Sequence, residues 1–167
     1  LTANLGILDA SYDSYTVLDG VGNNLDNSGL DLRRAPEMTL SLGALYEHAL
    51  TNGDYLVTSF NYRWKDDYCI AANNKYNTAN YSGNNPACNN AFGILDASLS
   101  YESENWRLSL YGKNLTDEIY NLYFLDVAAF YSAASPTDSS AVYNAGLWSQ
   151  GTVNRPKNFG VELEFRF

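Results

Sequence analysis

The chain holds one histidine, two cysteines, one methionine and four prolines in 167 residues, and only 10 basic side chains against 19 acidic ones. Each scarcity removes a class of function. A formal charge of −9 leaves no basic face for a phosphate backbone, so nucleic acid is not an expected partner. A lone histidine without a cysteine cluster is too little for a transition-metal centre, and neither a metal nor a cofactor is expected. His48 falls on the apolar side of an alternating stretch beside a short turn, where a structural or interfacial role is expected and catalysis is not. No run of about 18 apolar residues occurs, which excludes a membrane-spanning helix. A membrane-spanning strand needs only about 9 to 11 residues with every second one apolar, so that exclusion leaves strands untouched. Leu1 is not a start methionine and no basic-then-apolar segment opens the chain, so localisation cannot be read from its first residues.

What is abundant is apolar and aromatic: 46% of residues are hydrophobic, with 14 Tyr, 7 Phe and 3 Trp, too many for a disordered chain. They are spaced at period 2. Phe159, Val161, Leu163, Phe165 and Phe167 alternate with Asn158, Gly160, Glu162, Glu164 and Arg166. Leu56, Thr58, Phe60, Tyr62 and Trp64 alternate with Val57, Ser59, Asn61, Arg63 and Lys65. The same template fits Leu95 to Tyr101, Trp106 to Tyr111, Leu40 to Tyr46 and Leu1 to Ile7, which makes six strands and no comparable helix. The prolines at 36, 86, 136 and 156 all fall between strands.

The connections are of two kinds. Leu50-Thr51-Asn52-Gly53-Asp54 and Glu102-Ser103-Glu104-Asn105 read as tight hairpin turns. Residues 9–37, 66–91 and 115–157 are long loops, well beyond the roughly 15 residues usual in compact domains. In an up-and-down meander this puts every short turn at one end and every long loop at the other, as in transmembrane β-barrels. Tyr46, Tyr101, Trp106 and Phe167 lie near the short-turn end, and Trp64 and Phe159 near the long-loop end, as two aromatic girdles would. The alternative is a secreted carbohydrate-binding or adhesive β-domain, a sandwich in which the charged strand faces are simply solvated.

Other signals are weak. Asp19, Asn23, Asn24, Asp26, Asn27 and Asp31 make an oxygen-rich loop but lack the ligand spacing and final Glu of a calcium hand. Gly20-Val21-Gly22 lacks the strand-to-helix setting of a phosphate loop. No nucleophile-base arrangement appears, so an enzyme is not expected. Cys69 and Cys88 flank an Asn-, Gly- and Tyr-rich segment, either as a disulfide closing one exposed loop or as two free thiols.

Six strands are too few to close a membrane barrel, which needs at least about eight. The expectation is therefore one part of a larger barrel, with further strands upstream. Four stretches resemble the TonB-dependent outer-membrane receptors, in the right order: Leu1 to Tyr15, Leu32-Arg33-Arg34-Ala35-Pro36-Glu37-Met38-Thr39-Leu40, Gly112-Lys113-Asn114-Leu115-Thr116-Asp117-Glu118-Ile119-Tyr120, and Arg155-Pro156-Lys157-Asn158 through Phe167. The third is the most specific.

The resemblance implies an all-β, antiparallel meander. Residues 1–167 would be the C-terminal part of a barrel of about 22 strands, without its N-terminal plug, and the three long loops would be extracellular. It implies a bacterial outer-membrane location and a part in active uptake of scarce large solutes such as a ferric siderophore, cobalamin or an oligosaccharide. The partners it implies are outer-membrane lipid and lipopolysaccharide, the receptor's own plug, a TonB-type energy-coupling protein and the barrel-assembly machinery. Asn61, Arg63, Lys65, Arg107, Lys113, Glu162, Glu164 and Arg166 would then face the lumen. Tyr68, Tyr76, Tyr81, Phe130, Tyr131, Tyr143 and Trp148 would be ligand-contact candidates on the loops, since rings give rigid contact area. Asn158, Gly160, Leu163, Phe165 and Phe167 fit the C-terminal assembly signal, and a Cys69–Cys88 bridge is expected in the whole receptor.

Overall fold

A computed structural model of the chain describes residues 1–18, 24–70, 87–126 and 149–167. Its main element is one antiparallel sheet. The strands are β1 (Thr2–Ile7), β2 (Thr16–Leu18), β3 (Asn24–Asp26), β4 (Met38–Ala49), β5 (Tyr55–Lys65), β6 (Tyr68–Cys69), β7 (Cys88–Asn89), β8 (Phe92–Glu102), β9 (Trp106–Lys113), β10 (Asn121–Asp126), β11 (Ser149–Val153) and β12 (Asn158–Phe165). Six of them form the sheet in the order β1-β4-β5-β8-β9-β12, each beside its chain neighbour in the meander. The remaining six pair as three small hairpins, β2–β3, β6–β7 and β10–β11, one in each long connection. Sequence reading left these three unseen, because strands of two or three residues show no period and β10 and β11, although longer, do not alternate apolar with polar.

The register keeps one face apolar from edge to edge. Leu5 lies opposite Leu40, Leu40 opposite Trp64 and Ala44 opposite Phe60. Phe60 is in turn opposite Ala97, Leu99 opposite Leu110, and Leu110 opposite Val161. A slip of one residue in any strand would turn its leucines and rings to the other face, so the pattern itself fixes the pairing.

Among the described residues no second layer packs on that apolar face, and only Leu115 folds over it, at Gly112. Leu110 is 50%, Phe60 50%, Val161 67% and Phe159 70% exposed. The sandwich alternative requires a second layer there, and water-exposed apolar surface of this continuity is foreign to a secreted domain. The buried hydrophobic residues are instead few and local: Ile70, Ala87, Phe92 and Ile94, on the opposite side of the sheet near the long-loop end. Strands β4, β5 and β8 have 12, 11 and 11 residues, enough to cross a hydrocarbon layer at a tilt.

The two short turns lie at the same end. In Leu50–Asp54 the Leu50 amide donates to the Asp54 carbonyl (2.8 Å) and the Gly53 amide to the Leu50 carbonyl (3.1 Å). Gly53 takes φ +89°, which a side chain would resist. In the second turn the Ser103 amide donates to the Trp106 carbonyl (2.8 Å), and the Arg166 amide reaches back to the Asn105 carbonyl (2.8 Å), tying the end of β12 to it. The Tyr101 and Trp106 rings stack at 5.2 Å and those of Tyr46 and His48 at 6.4 Å, which gathers rings at this level of the sheet.

Two outcomes follow. Leu110→Arg, in the middle of β9 on the apolar face, should destabilise the protein by about 2–4 kcal/mol when folding into lipid vesicles is titrated with denaturant. At the first short turn, the Tyr101 hydroxyl, then Ser103 and Asn52, hold the Asp54 carboxyl below its ordinary value. A depressed folded-state pKa contributes stability present above the unfolded value of about 3.9 and lost as pH falls through the folded one. The protection of the Gly53 amide relative to the unfolded chain should therefore be constant above about pH 4 and fall only below it, and Asp54→Asn should abolish that acid-specific loss.

Candidate functional site

The face opposite the apolar one is polar and layered. Asn61, Arg63 and Lys65 on β5, Arg107 and Lys113 on β9, and Glu162 and Glu164 on β12 share it by register. Arg166 follows with the same parity just past β12, its Nε 3.5 Å from Glu164 Oε1. At mid-height, hydroxyl pairs Ser59–Ser98 (2.7 Å) and Ser100–Ser109 (2.8 Å) satisfy one another across strands, leaving β5, β8 and β9 uncharged there, with Glu162 of β12 opposite Ser109. Towards the short turns Arg107 pairs with Glu102 and, at 3.9 Å, with Glu164. Towards the long loops Arg63 pairs with Asp96 at 2.8 Å. These pairs are half-exposed and screened by solvent, and contribute about 0–1 kcal/mol each, so they are readily exchanged for other partners.

Above the sheet the three long connections are knitted together. Cys69 and Cys88 are opposite one another in β6–β7 and joined by a disulfide. The Arg34 amide, from the first connection, donates to the Cys69 carbonyl at 2.7 Å, while Arg34 Nη2 reaches the Leu122 carbonyl of the third at 3.4 Å. Asn89 binds the backbone of Asn121 from both ends of its amide, accepting from N–H at 2.7 Å and donating to the carbonyl at 2.9 Å. Beneath these contacts the rings of Phe92 and Tyr120 stack at 4.1 Å, Tyr68 lies 6.3 Å from Phe92, and Lys65 Nζ sits 5.9 Å from the centre of the Tyr68 ring. Burial pushes the Tyr68 phenol above its ordinary value, so it remains a neutral donor.

The segment Asn114-Leu115-Thr116-Asp117 is the joint between sheet and loops. Asn114 and Asp117 hold φ of +52° and +59°, turning the chain sharply off β9. Buried Asn114 donates from Nδ2 to the carbonyls of Glu118 (2.8 Å) and Arg155 (3.1 Å) and accepts from the Glu118 amide (3.0 Å). Its own amide donates to Asp96 Oδ1 (2.9 Å), and Thr116 Oγ1 donates to the Gly93 carbonyl (2.7 Å). Lys157 Nζ lies 3.5 Å from Asp117 Oδ2, bringing in the chain just before β12. Asn154 repeats the device, accepting from the Tyr120 amide (2.9 Å) and donating to the Glu118 carbonyl (2.9 Å). One short segment thereby fixes β8, β9 and the start of β12.

Of the loop rings expected to contact ligand, Tyr68 is half-buried in the aromatic cluster, and Tyr76, Tyr81, Phe130, Tyr131, Tyr143 and Trp148 lie outside the described residues. In the oxygen-rich first loop Asp26 Oδ1 accepts from the Ser28 amide (2.9 Å), while Asp19 and Asn23 lie outside the described residues. A polar cavity of about 170 Å³ between the first two connections is lined by Asp31, Glu37, Asp66, Asp67 and Tyr68. Among the described residues no group of three or more His, Cys, Asp or Glu is placed to hold a metal ion. Sequence reasoning missed Phe92, Ile94, Asn89, Tyr120 and Asn154. Phe92-Gly93-Ile94-Leu95 held a signal, being apolar at both parities, as a strand covered on two sides should be.

Replacing Asn114 separates its two roles. Asn114→Ala should cost about 3 kcal/mol, through the unpaired carbonyls and the strained φ, and Asn114→Gly should recover about 1 kcal/mol by relieving φ alone. Denaturant midpoints of the detergent-solubilised protein would read the order wild type, Gly, Ala.

A search of curated proteins and a search of solved structures gave no match. The family described as "TonB dependent receptor-like, beta-barrel" matches residues 1–115. That stretch takes in β1 through β9, and so five of the six strands of the sheet, with the start of the Asn114 joint. Members of this family are receptors of the bacterial outer membrane that serve transport, and their barrels work with a plug and with TonB. The apolar face is accordingly the lipid face, and the chain belongs to the TonB-dependent receptor β-barrel family.

Proposed function

We propose that this chain is the C-terminal wall of a receptor that takes up scarce large solutes, of the ferric siderophore, cobalamin or oligosaccharide kind, by energy-coupled transport and without bond-making chemistry. The observation that supports it best is the pairing of a two-faced sheet with loops that alternate short and long. The polar face, with Asn61, Arg63, Lys65, Arg107, Lys113, Glu162, Glu164 and Arg166, is then the lumen wall against the plug. Its ion pairs are exposed and exchangeable, which suits a plug that must shift without the barrel opening.

In this reading the long connections are extracellular and capture solute with the plug apices. The disulfide, the Arg34 contacts and the Asn89–Asn121 pair hold them as one rim, lowering the ordering cost of capture. The coupling protein then pulls on the plug from the short-turn side, and solute passes inward. Lipid and lipopolysaccharide contact the Trp64 and Phe159 level. Asn158, Gly160, Leu163, Phe165 and Phe167 act earlier, as the strand read by the barrel-assembly machinery.

The test uses the intact receptor in cells with and without the coupling protein, fed labelled ferric siderophores, cobalamin and oligosaccharides in turn. Accumulation of at least one class only when the coupling protein is present is the expected result, and equal accumulation in both strains overturns the reading. Deleting Phe167 should lower the amount of folded receptor in the outer membrane several-fold, measured by heat-modifiable mobility, with unchanged levels counting against the assembly role.

A further inference from the structure

The apolar face is not uniform along its length. At one height the register sets Phe60, Ala97, Gly112 and Phe159 side by side across β5, β8, β9 and β12. The next height towards the short turns carries Thr58, Leu99, Leu110 and Val161. Two large rings thus flank two of the smallest residues, and the face is hollowed between them. The recess has a volume of about 650 Å³. Its wall on the long-loop side is Leu115, from the joint after β9, whose amide donates to the Leu95 carbonyl at 2.7 Å and so fixes its place. A Cβ on Gly112 would lie 2.6 Å from Leu115 Cδ2 and 3.1 Å from the Phe159 ring. Those two side chains therefore close over Gly112, and Ala97 is left as the open floor.

The lining offers a ligand almost nothing but carbon. The Ser98 hydroxyl is bonded to Ser59 on the other face and Tyr111 lies over Gly160 there, which leaves Thr58 as the one lining residue with a hydroxyl on the lipid side. An unfilled hollow forfeits dispersion contacts along every wall, and the filler at hand on this face is hydrocarbon. The Cα atoms of Phe60 and Phe159 are three strand spacings apart, roughly 14 Å, so an acyl chain can lie between the rings. On a flat part of the face such a chain touches protein on one side only, whereas here it touches protein on several. We propose that this recess is a lipid-binding site, filled by a saturated acyl chain of lipopolysaccharide that stays while the surrounding lipid exchanges. Saturation follows from shape, since a cis double bond would bend the chain out of a hollow walled by two rings. The leaflet follows from height: the Leu115 wall puts the recess in the long-loop half, which the uptake reading makes extracellular, and the proposal rests on that reading for this point alone.

The experiment is native mass spectrometry of the intact receptor in non-ionic detergent, supplied in turn with lipopolysaccharide lacking its outer sugar chain and with an unsaturated phosphatidylethanolamine. One lipopolysaccharide should stay bound per receptor under washing that strips the phospholipid. Ala97→Phe, which fills the floor, should lower the retained fraction about tenfold, as excluding about two methylenes would. Thr58→Phe, filling the same hollow from β5, should act alike. Leu42→Phe, on the lipid face but outside the recess, should retain lipopolysaccharide as the wild type does. Heat-modifiable mobility selects the folded fraction of each variant before the measurement. Absence of retention, equal or greater retention of the phospholipid, full retention in either filled variant, or an equal loss in the Leu42 variant overturns the proposal. Coupling-protein dependence of uptake is measured separately and holds or fails whichever lipid is retained, so loss of the lipid site and loss of the transport reading are told apart.

Discussion

The constraint on which the rest depends is that a strand shows alternate residues to opposite sides, while this chain supplies apolar residues for one side and, among the described residues, no layer to cover them. Leu110, Phe159 and Val161 at half exposure or more are untenable against water over a continuous face. Hydrocarbon resolves it, because acyl chains accept such a face but offer no hydrogen bonds to backbone. Every amide within the layer must then be paired between strands, which is why the sheet is regular where it crosses and irregular only beyond.

That division explains where strain and polarity are placed. Positive φ at Gly53, Asn114, Asp117 and Arg34 occurs in turns or connections and not within a crossing strand. The side-chain amides of Asn89, Asn114 and Asn154 do in the connections what ladder bonds do in the sheet, satisfying carbonyls and amides that irregular backbone leaves over. The disulfide adds a covalent constraint at the same level, closing the second connection next to residues that bind the first and the third. The small core of Ile70, Ala87, Phe92 and Ile94 is thus the foundation of the rim, while the wall below needs no protein core.

The wall was legible in the sequence because its signal is redundant. Each of β4, β5, β8, β9 and β12 repeats the same alternation over eight or more residues, and the meander then fixes which loops share an end. Arg63, Lys65, Lys113 and Glu162 could be assigned to one face by parity alone. The rim was much less legible. The short strands β6 and β7 have two residues each, and the pairing of Asn89 with Asn121 or Arg34 with Leu122 joins residues that no local period relates. Tyr68 illustrates the difference: its residue type suggested ligand contact, while its packing against Phe92 and under Lys65 depends on three connections meeting.

As the proposed lumen wall, the polar face carries a constraint that the lipid face lacks, because a plug that touches it must let go again. Buried ion pairs would hold a partner at a desolvation cost that makes each rearrangement slow, whereas exposed pairs such as Arg107–Glu164 at 3.9 Å exchange one partner for another at little net cost. The serine hydroxyls of the middle band have small side chains already paired to each other, so they offer a sliding surface neither charge nor ring would give. On that reading, a wall that grips weakly towards both ends permits movement along its axis while its strands, locked by register and lipid, stay still.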